Sequence, residues 1–246
     1  MSKKGVWVFA WFLASNSLRF QVFEKARFLD RGKVLPNWVD IANLIVLTIT
    51  LGFIVWYVIA THRLVKTAQK QVQSLKKQSF ENTFFQLLKF HNDIVSSYNI
   101  LKKSYPTKIE TLGRECFKEF YNNFRQSYGA EVRNTNKEDL SFIDSVYVKF
   151  YGQHQSDLPH YFRNLYSVIN FVKTADISNK IFYTDLIRAQ LSTHEQLILF
   201  YHCLSRYGKE NLKPMVVEFQ LLKEMPEDLL KESFHQQYYP QEAFGK

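Results

Sequence analysis

The chain has 246 residues, 46% of them apolar and 22% charged, with 8 Gly and 6 Pro, which excludes a disordered, collagen-like or turn-rich protein. Its net charge of +9 lies in residues 1–79, because residues 80–246 hold 20 basic and 20 acidic residues. A nucleic-acid-binding domain carries positive charge on its own surface, so we do not expect residues 80–246 to bind nucleic acid directly. Two Cys, Cys116 and Cys203, are too few for a disulfide framework or a four-Cys zinc site.

An apolar run, Val6–Ala14, follows two lysines near the start of the chain. Its nine residues fit the apolar region of a signal peptide, an interfacial helix, or the first half of a short membrane span. We favour a retained first span. Residues 1–37 would then comprise this short apolar segment and a basic loop.

A second apolar segment, residues 41–60, contains no charged side chain. A helix of that length spans roughly 30 Å, the thickness of a bilayer's hydrocarbon core. Trp38 lies at one end and Trp56 and Tyr57 near the other, where aromatic belts form. The alternative is a buried core helix, but core helices rarely lack charge for so long. The sequence therefore predicts a transmembrane helix over residues 38–61.

Basic residues follow this span without an intervening acid: Arg63, Lys66, Lys70, Lys76 and Lys77. By the positive-inside rule this side of the membrane is cytoplasmic, although the loop before the span is also basic. Residues 62–79 should form a basic helical stalk. Apolar and small residues recur there at steps of three and four, which predicts self-association or, alternatively, a helix lying on anionic lipid. These positions are Val65, Ala68, Val72, Leu75, Ser79 and Asn82.

Residues 80–246 show helical periodicity and no β-hairpin signal, which predicts an all-α cytoplasmic domain of six to eight helices. We expect the first helix to continue to about Leu101 and the second to stop at Gly129. Asn136 and Asp157 are the expected N-caps of the next two. Further helices are expected over about 180–191, from the capping box Ser192–Glu195 to about residue 208, and over 212–222.

Catalytic motifs are scarce: we find no phosphate loop, HExxH, GxSxG or paired-Cys motif, and we expect no cofactor and no metal. One arrangement could be enzymatic. Arg188 and His194, separated by AQLST, match the Arg-x(4–6)-His spacing of HEPN-type ribonucleases, in which Arg would hold the phosphate and His would move a proton. Ala189 stands where those enzymes carry a polar residue, and the capping box places a helix break between the two. We therefore expect no enzyme activity and keep the ribonuclease as an alternative.

One polar helix face is a candidate partner or regulatory surface. It is formed by His160, Arg163, Tyr166 and Asn170, opposite an apolar face of the same helix. The alternative is an ordinary solvated face.

The order of four segments after the span and stalk resembles the AbiC-like family of phage abortive infection proteins. These segments are FENTFFQLLKFHNDI (Phe80–Ile94), HYFRNLYSVINFV (His160–Val172), IRAQLS (Ile187–Ser192) and LILFYHCLS (Leu197–Ser205). The resemblance implies N-terminal membrane spans, a helical cytoplasmic domain and a role in anti-phage defence at the bacterial inner membrane. Related membrane effectors occur beside retrons, so a retron reverse transcriptase–nucleic acid complex is a candidate partner. The family supplies no catalytic residues.

The functional hypothesis is a membrane-anchored effector of abortive infection that perturbs the inner membrane after phage is sensed. Its expected partners are the lipid bilayer and further copies of itself, associated through stalk and spans. Two alternatives remain open. One is the membrane-tethered HEPN-like ribonuclease toxin, and the other is a non-enzymatic scaffold that recruits a toxic partner.

Overall fold

The computed structural model describes residues 38–103, 108–132 and 139–246, so the predicted first apolar segment and basic loop at 1–37 lie outside the described residues. The described part is mostly helical, as predicted. Contacts divide the chain into two compact units, which are separated within the first helix between Lys70 and Gln71. The helices are α1 (Trp38–Ser96), α2 (Glu115–Val132), α3 (Leu140–Gln153), α4 (Leu158–Thr174), α5 (Lys180–Gln190), α6 (Thr193–Leu204) and α7 (Leu212–Glu218). Three short 3₁₀ helices follow at Glu227–Leu229, Ser233–Tyr238 and Gln241–Phe244.

Helix α1 contains the predicted span. Among the described residues it is the one helix long and apolar enough to cross a membrane, with an 18-residue window of mean hydropathy 2.3 and none of that window buried. The threonine hydroxyls in and beside the span bond within the helix: Thr48 donates to the Ile45 carbonyl at 2.8 Å and Thr61 to the Tyr57 carbonyl at 2.7 Å. Polar side chains bonded in this way expose no free donor to an apolar surrounding.

A β-hairpin after α1 departs from the all-helical pattern. Strands β1 (Asn99–Lys103) and β2 (Lys108–Leu112) pair antiparallel, with Asn99 opposite Leu112. Helix α1 ends at Ser96 rather than near residue 101, and the Ser97 hydroxyl bonds back to the Ile94 carbonyl. Gly113 then turns the chain into α2 with a φ of +58°, a conformation that glycine adopts without steric cost.

The end of α2 and the start of α3 also differ from the predicted boundaries. Helix α2 continues through Gly129 to Val132, because a glycine ends a helix only where the backbone turns left-handed. Asp139 caps α3 by accepting from the Phe142 N–H at 2.9 Å. The predicted cap, Asn136, lies outside the described residues. Asp157 precedes α4 as predicted, but its side chain makes no capping hydrogen bond.

An aromatic core lies between α2, α3, α4 and α6. Every residue of α6 from Glu195 to Leu204 is buried, so this helix forms the centre of the domain. Burying so many tyrosines requires partners for their hydroxyls, and the segment after α7 supplies several. Tyr121 donates to the Leu229 carbonyl, and the Tyr201 hydroxyl accepts from the Lys231 N–H at 2.9 Å. Tyr239, in the same segment, donates to the Phe200 carbonyl of α6 at 2.8 Å. Helix α6 ends at Leu204, before the predicted Gly208, whose backbone lies against His202 too closely to admit a Cβ.

Candidate functional site

A partly buried polar cluster joins the end of α1 to α4, α5 and α6. We call it the Arg114 cluster, and its members are His91, Asn92, Arg114, Tyr161, Asn164, Gln190 and Glu195. His91, Tyr161 and Glu195 are buried and the other four members are half-buried. The buried polar groups need partners to offset the cost of leaving water.

Arg114, just before α2, is the central cation of the cluster. Its guanidinium donates to the Asn92 side-chain oxygen at 2.6 Å and to the Gln190 backbone carbonyl. The Asn92 amide completes the link by donating to the Gln190 side-chain oxygen at 3.1 Å. Together these three side chains connect α1 to the C-terminal end of α5, where the last carbonyls of a helix otherwise lack partners.

Glu195 is the buried anion of the cluster, with a fully buried side chain 3.7 Å from the Arg114 guanidinium. It completes the predicted capping box, which the structure confirms: the Ser192 N–H donates to it at 2.8 Å, and the Ser192 hydroxyl accepts from the Glu195 N–H. The Tyr161 hydroxyl of α4 donates to the same carboxylate at 3.3 Å. Burial raises the pKa of Glu195 above its usual range, and the bonds from Ser192, Arg114 and Tyr161 oppose that rise.

His91 contributes a neutral imidazole from α1. Its Nδ1 lies 3.0 Å from the Asn164 side-chain oxygen, which accepts, so Nδ1 carries the proton. The ring packs beside Tyr161 at 5.0 Å between centroids. Burial, assisted by the charge of Arg114, lowers the pKa of His91 to about 4, while Asn164 opposes the shift. Its buried Nε2 has no hydrogen-bond partner among the described residues.

Arg188 and His194, the candidate ribonuclease pair, have different neighbours. The Arg188 side chain is 10% exposed and lies 2.9 Å from Asp185 and 3.9 Å from Glu224. His194 packs toward the Tyr121 ring at 6.2 Å between centroids. Burial lowers the pKa of His194, as does the charge of Lys118. Their catalytic roles stay a prediction.

The predicted partner surface on α4 lies on the outside of the domain. His160, Arg163 and Tyr166 are exposed, and Asn170 is half-buried. The Arg163 side chain bonds within its own helix, to the Pro159 carbonyl at 3.2 Å. This face is accessible, as a docking surface requires, and its role in partner binding remains a prediction.

Asn164, on the same helix as the α4 face, points inward to His91 and belongs to the Arg114 cluster. The sequence patterns did not identify this cluster as a site. They did supply one signal, the capping box, and the segments that resemble the AbiC-like family contain five of its seven members. Arg114 and Glu195 lie outside those segments; Glu195 belongs to the capping box, whereas Arg114 has no motif of its own.

One comparison with known proteins gives a match. The model of a family described as putative phage abortive infection protein matches residues 153–230, about a third of the chain. The matched segment runs from the end of α3 into the first 3₁₀ helix and includes four members of the Arg114 cluster: Tyr161, Asn164, Gln190 and Glu195. No curated protein and no solved structure matches the chain.

Proposed function

We propose, on the premise of the AbiC-like family assignment that the match at residues 153–230 supports, that this chain is a membrane-anchored effector of abortive infection. In this proposal residues 41–60 cross the bacterial inner membrane and residues 80–246 lie in the cytoplasm. The observation that carries the proposal is the Arg114 cluster, which binds the helix containing the span to the segment that the family model matches.

The orientation rests on charge. Five basic residues follow the span before the first acid, and cytoplasmic flanks of membrane helices are enriched in such residues. An accessible cytoplasmic domain could detect an intracellular sign of infection directly or through a partner. The exposed α4 face, His160 to Asn170, is the surface we assign to that contact, and a retron reverse transcriptase–nucleic acid complex is one candidate partner.

Signal transfer follows from the hydrogen bonds. A partner that displaces α4 or the α5–α6 junction would separate Asn164 from His91, or Gln190 from Asn92. The first separation leaves the buried His91 imidazole without a partner, at a cost of about 1–3 kcal/mol, and the second breaks a hydrogen bond between two half-buried amides. Both losses favour a second arrangement of α1. Rearrangement of α1 then perturbs the membrane, and the infected cell dies or stops growing before phage matures.

A membrane-potential dye in phage-infected cells tests the proposal. We expect cells that express the chain to depolarise before phage is released, and cells that express a Gly52→Arg variant, with a charge inside the span, to stay polarised and lyse normally. Death of protected cells with unchanged polarisation would overturn membrane perturbation. Expression without phage adds a second readout: toxicity of the chain alone favours an autonomous effector, whereas silence indicates that the chain needs infection or a partner to act.

A further inference from the structure

Helix α1 presents an uncovered face on the side opposite its own domain. Its buried residues between Gln71 and Ser96 are Phe84, Leu88, His91, Ile94 and Val95. Nine residues make two and a half helical turns, so positions nine apart lie on opposite sides. Leu75, Ser79 and Asn82 lie nine residues before Phe84, Leu88 and His91, respectively, and all three are exposed. The domain therefore leaves this face free.

The uncovered face has a regular composition, and we call it the α1 seam. Counted in sevens along the sequence, Val58, Val65 and Val72 occupy one core position of a heptad, while Ala68 and Leu75 occupy the other. The same register extends toward the N-terminus through Leu44, Leu47, Leu51 and Ile54, and Thr61 is the one polar residue at a core position between Leu44 and Leu75. Val72 and Leu75 are 52% and 62% exposed. Valine at the first position favours two parallel strands where leucine occupies the second, as it does at Leu75.

The charges of the stalk are compatible with self-pairing. Arg63, Lys70 and Lys77 all fall at the heptad position farthest from the seam. The positions that flank the seam carry Gln69, Gln71 and Gln78, together with Lys76. Two copies can therefore approach through the seam without bringing rows of like charge together, although the stalk is strongly basic.

We propose that α1 pairs in parallel and in register with α1 of a second copy of this chain, so that the protein acts as a dimer. The parallel direction rests on the proposed function, because two copies inserted the same way into a membrane place identical residues opposite each other. Each domain then projects outward from the pair, since its buried face on α1 is opposite the seam.

Cysteine cross-linking of the full-length chain in native membranes tests this pairing. Core positions of a parallel pair bring identical Cα atoms within the 4.4–6.8 Å that a disulfide spans, and outer positions do not. We expect Val72→Cys and Leu75→Cys to form dimers under mild oxidation, at least about tenfold more than Ser74→Cys, the matched control off the seam. The wild-type chain supplies the background, because Cys116 and Cys203 are both buried.

A charged substitution within the α1 seam gives a second test of the pairing. In the Val72→Cys chain, Leu75→Glu places two carboxylates opposite each other and should reduce the dimer yield at least about fivefold. Lys70→Glu places a carboxylate at the position farthest from the seam and should leave the yield unaltered, although it changes the net charge by more than Leu75→Glu does. Equal cross-linking at Val72, Ser74 and Leu75, or none at any, would overturn the dimer.

Protection against phage is scored separately in the same variants. If the cysteine variants cross-link but the wild-type chain does not protect cells against phage, the abortive-infection function is contradicted and the dimer is not. Protection without cross-linking counts against the dimer alone.

Discussion

Replacing Arg114 by alanine is the most direct perturbation of the Arg114 cluster. The change removes the hydrogen bonds to Asn92 and to the Gln190 carbonyl, and it removes the cation beside Glu195. Ser192 and Tyr161 continue to donate to the carboxylate, so Glu195 is weakened as a partner rather than left alone.

The magnitude follows from burial and distance. Loss of one partner from a fully buried ion pair costs 3–5 kcal/mol, whereas an exposed pair is worth about 0–1 kcal/mol. The Arg114 side chain is 38% exposed and its closest approach to Glu195 is 3.7 Å, which places this pair between those limits. With the two lost hydrogen bonds we expect a loss of about 2 kcal/mol in the free energy of unfolding at pH 7. For a domain of this size that corresponds to a fall in Tm of about 4–8 °C.

The pH dependence has a definite sign. Burial holds the pKa of Glu195 above its usual value and Arg114 draws it back down, so Arg114→Ala raises that pKa further. Above this pKa the Arg114→Ala variant keeps the ionised Glu195 carboxylate buried without a neighbouring cation. At low pH the carboxyl is protonated and needs no cation. The cost of Arg114→Ala should therefore be larger at pH 7 than at pH 4.5.

Thermal unfolding of the full chain in detergent, followed by far-ultraviolet circular dichroism, measures this cost. Tryptophan fluorescence would not report on the helical domain, because all four Trp precede residue 60. Arg114→Lys retains the charge but not the forked geometry and should fall between wild type and Arg114→Ala. Arg125→Ala, an exposed arginine on α2, is the matched control and should change stability by less than about 0.5 kcal/mol. An Arg114→Ala Tm equal to wild type, or a larger loss at acid pH, would refute the coupling role.

Three further predictions concern the span, the ribonuclease alternative and acid stability. A Cβ at Gly52 meets no atom within 4 Å, so a larger side chain causes no steric clash there. Gly52→Arg should then impair membrane insertion only through its charge, at a cost of about 2.5–3.5 kcal/mol, whereas Gly52→Ala should stay in the membrane fraction. Equal membrane fractionation of the two variants would contradict the span. Phage challenge of cells that express the variants tests the ribonuclease alternative. If the chain is a ribonuclease, Arg188→Ala and His194→Ala should each abolish protection against phage at normal protein levels. We expect instead that the His194→Ala chain still protects cells against phage. Three buried histidines stay neutral in the folded chain below pH 6.5, whereas the same residues become protonated in the unfolded chain. The free energy of unfolding should therefore fall toward pH 5, by up to about 1.4 kcal/mol per pH unit for each histidine, while Glu195 contributes in the opposite direction. A flat pH profile of stability would contradict this. Burial lowers the pKa of His91 to about 4, of His202 to about 3 and of His235 to about 4.

Local patterns account for what the sequence predicted well. Residues 41–60 are helical in α1, as predicted, because twenty consecutive uncharged and mostly apolar residues are typical of a helix long enough to cross a membrane. The Ser192–Glu195 capping box was predictable because both hydrogen bonds join residues three apart. The resemblance to the AbiC-like family drew on His160–Val172, Ile187–Ser192 and Leu197–Ser205, which lie within the residues that the family model matches.

Long-range pairing accounts for what the sequence missed. His91 and Asn164 are 73 positions apart, and Asn92 and Gln190 are 98 apart, so no local pattern relates them. Nothing in the sequence around Arg114 distinguishes it from the other arginines of the chain. The hairpin at Asn99–Leu112 has no Asn-Gly or Asp-Gly turn and little apolar alternation, and its strands follow from the end of α1 and the turn at Gly113.

The Arg114 cluster also contributes to the defined rotation of α1 against its domain. A turn of the helix by one residue would bring Phe85 to the place of Phe84, but it would also bring Lys89 to the place of the buried Leu88. The same turn of 100° carries His91 and Asn92 away from Asn164 and Gln190, and it leaves the buried His91 imidazole without a partner. Apolar and polar contacts together therefore fix which side of α1 faces the domain. They also fix which side remains free, and that free side is the seam that we propose a second copy occupies.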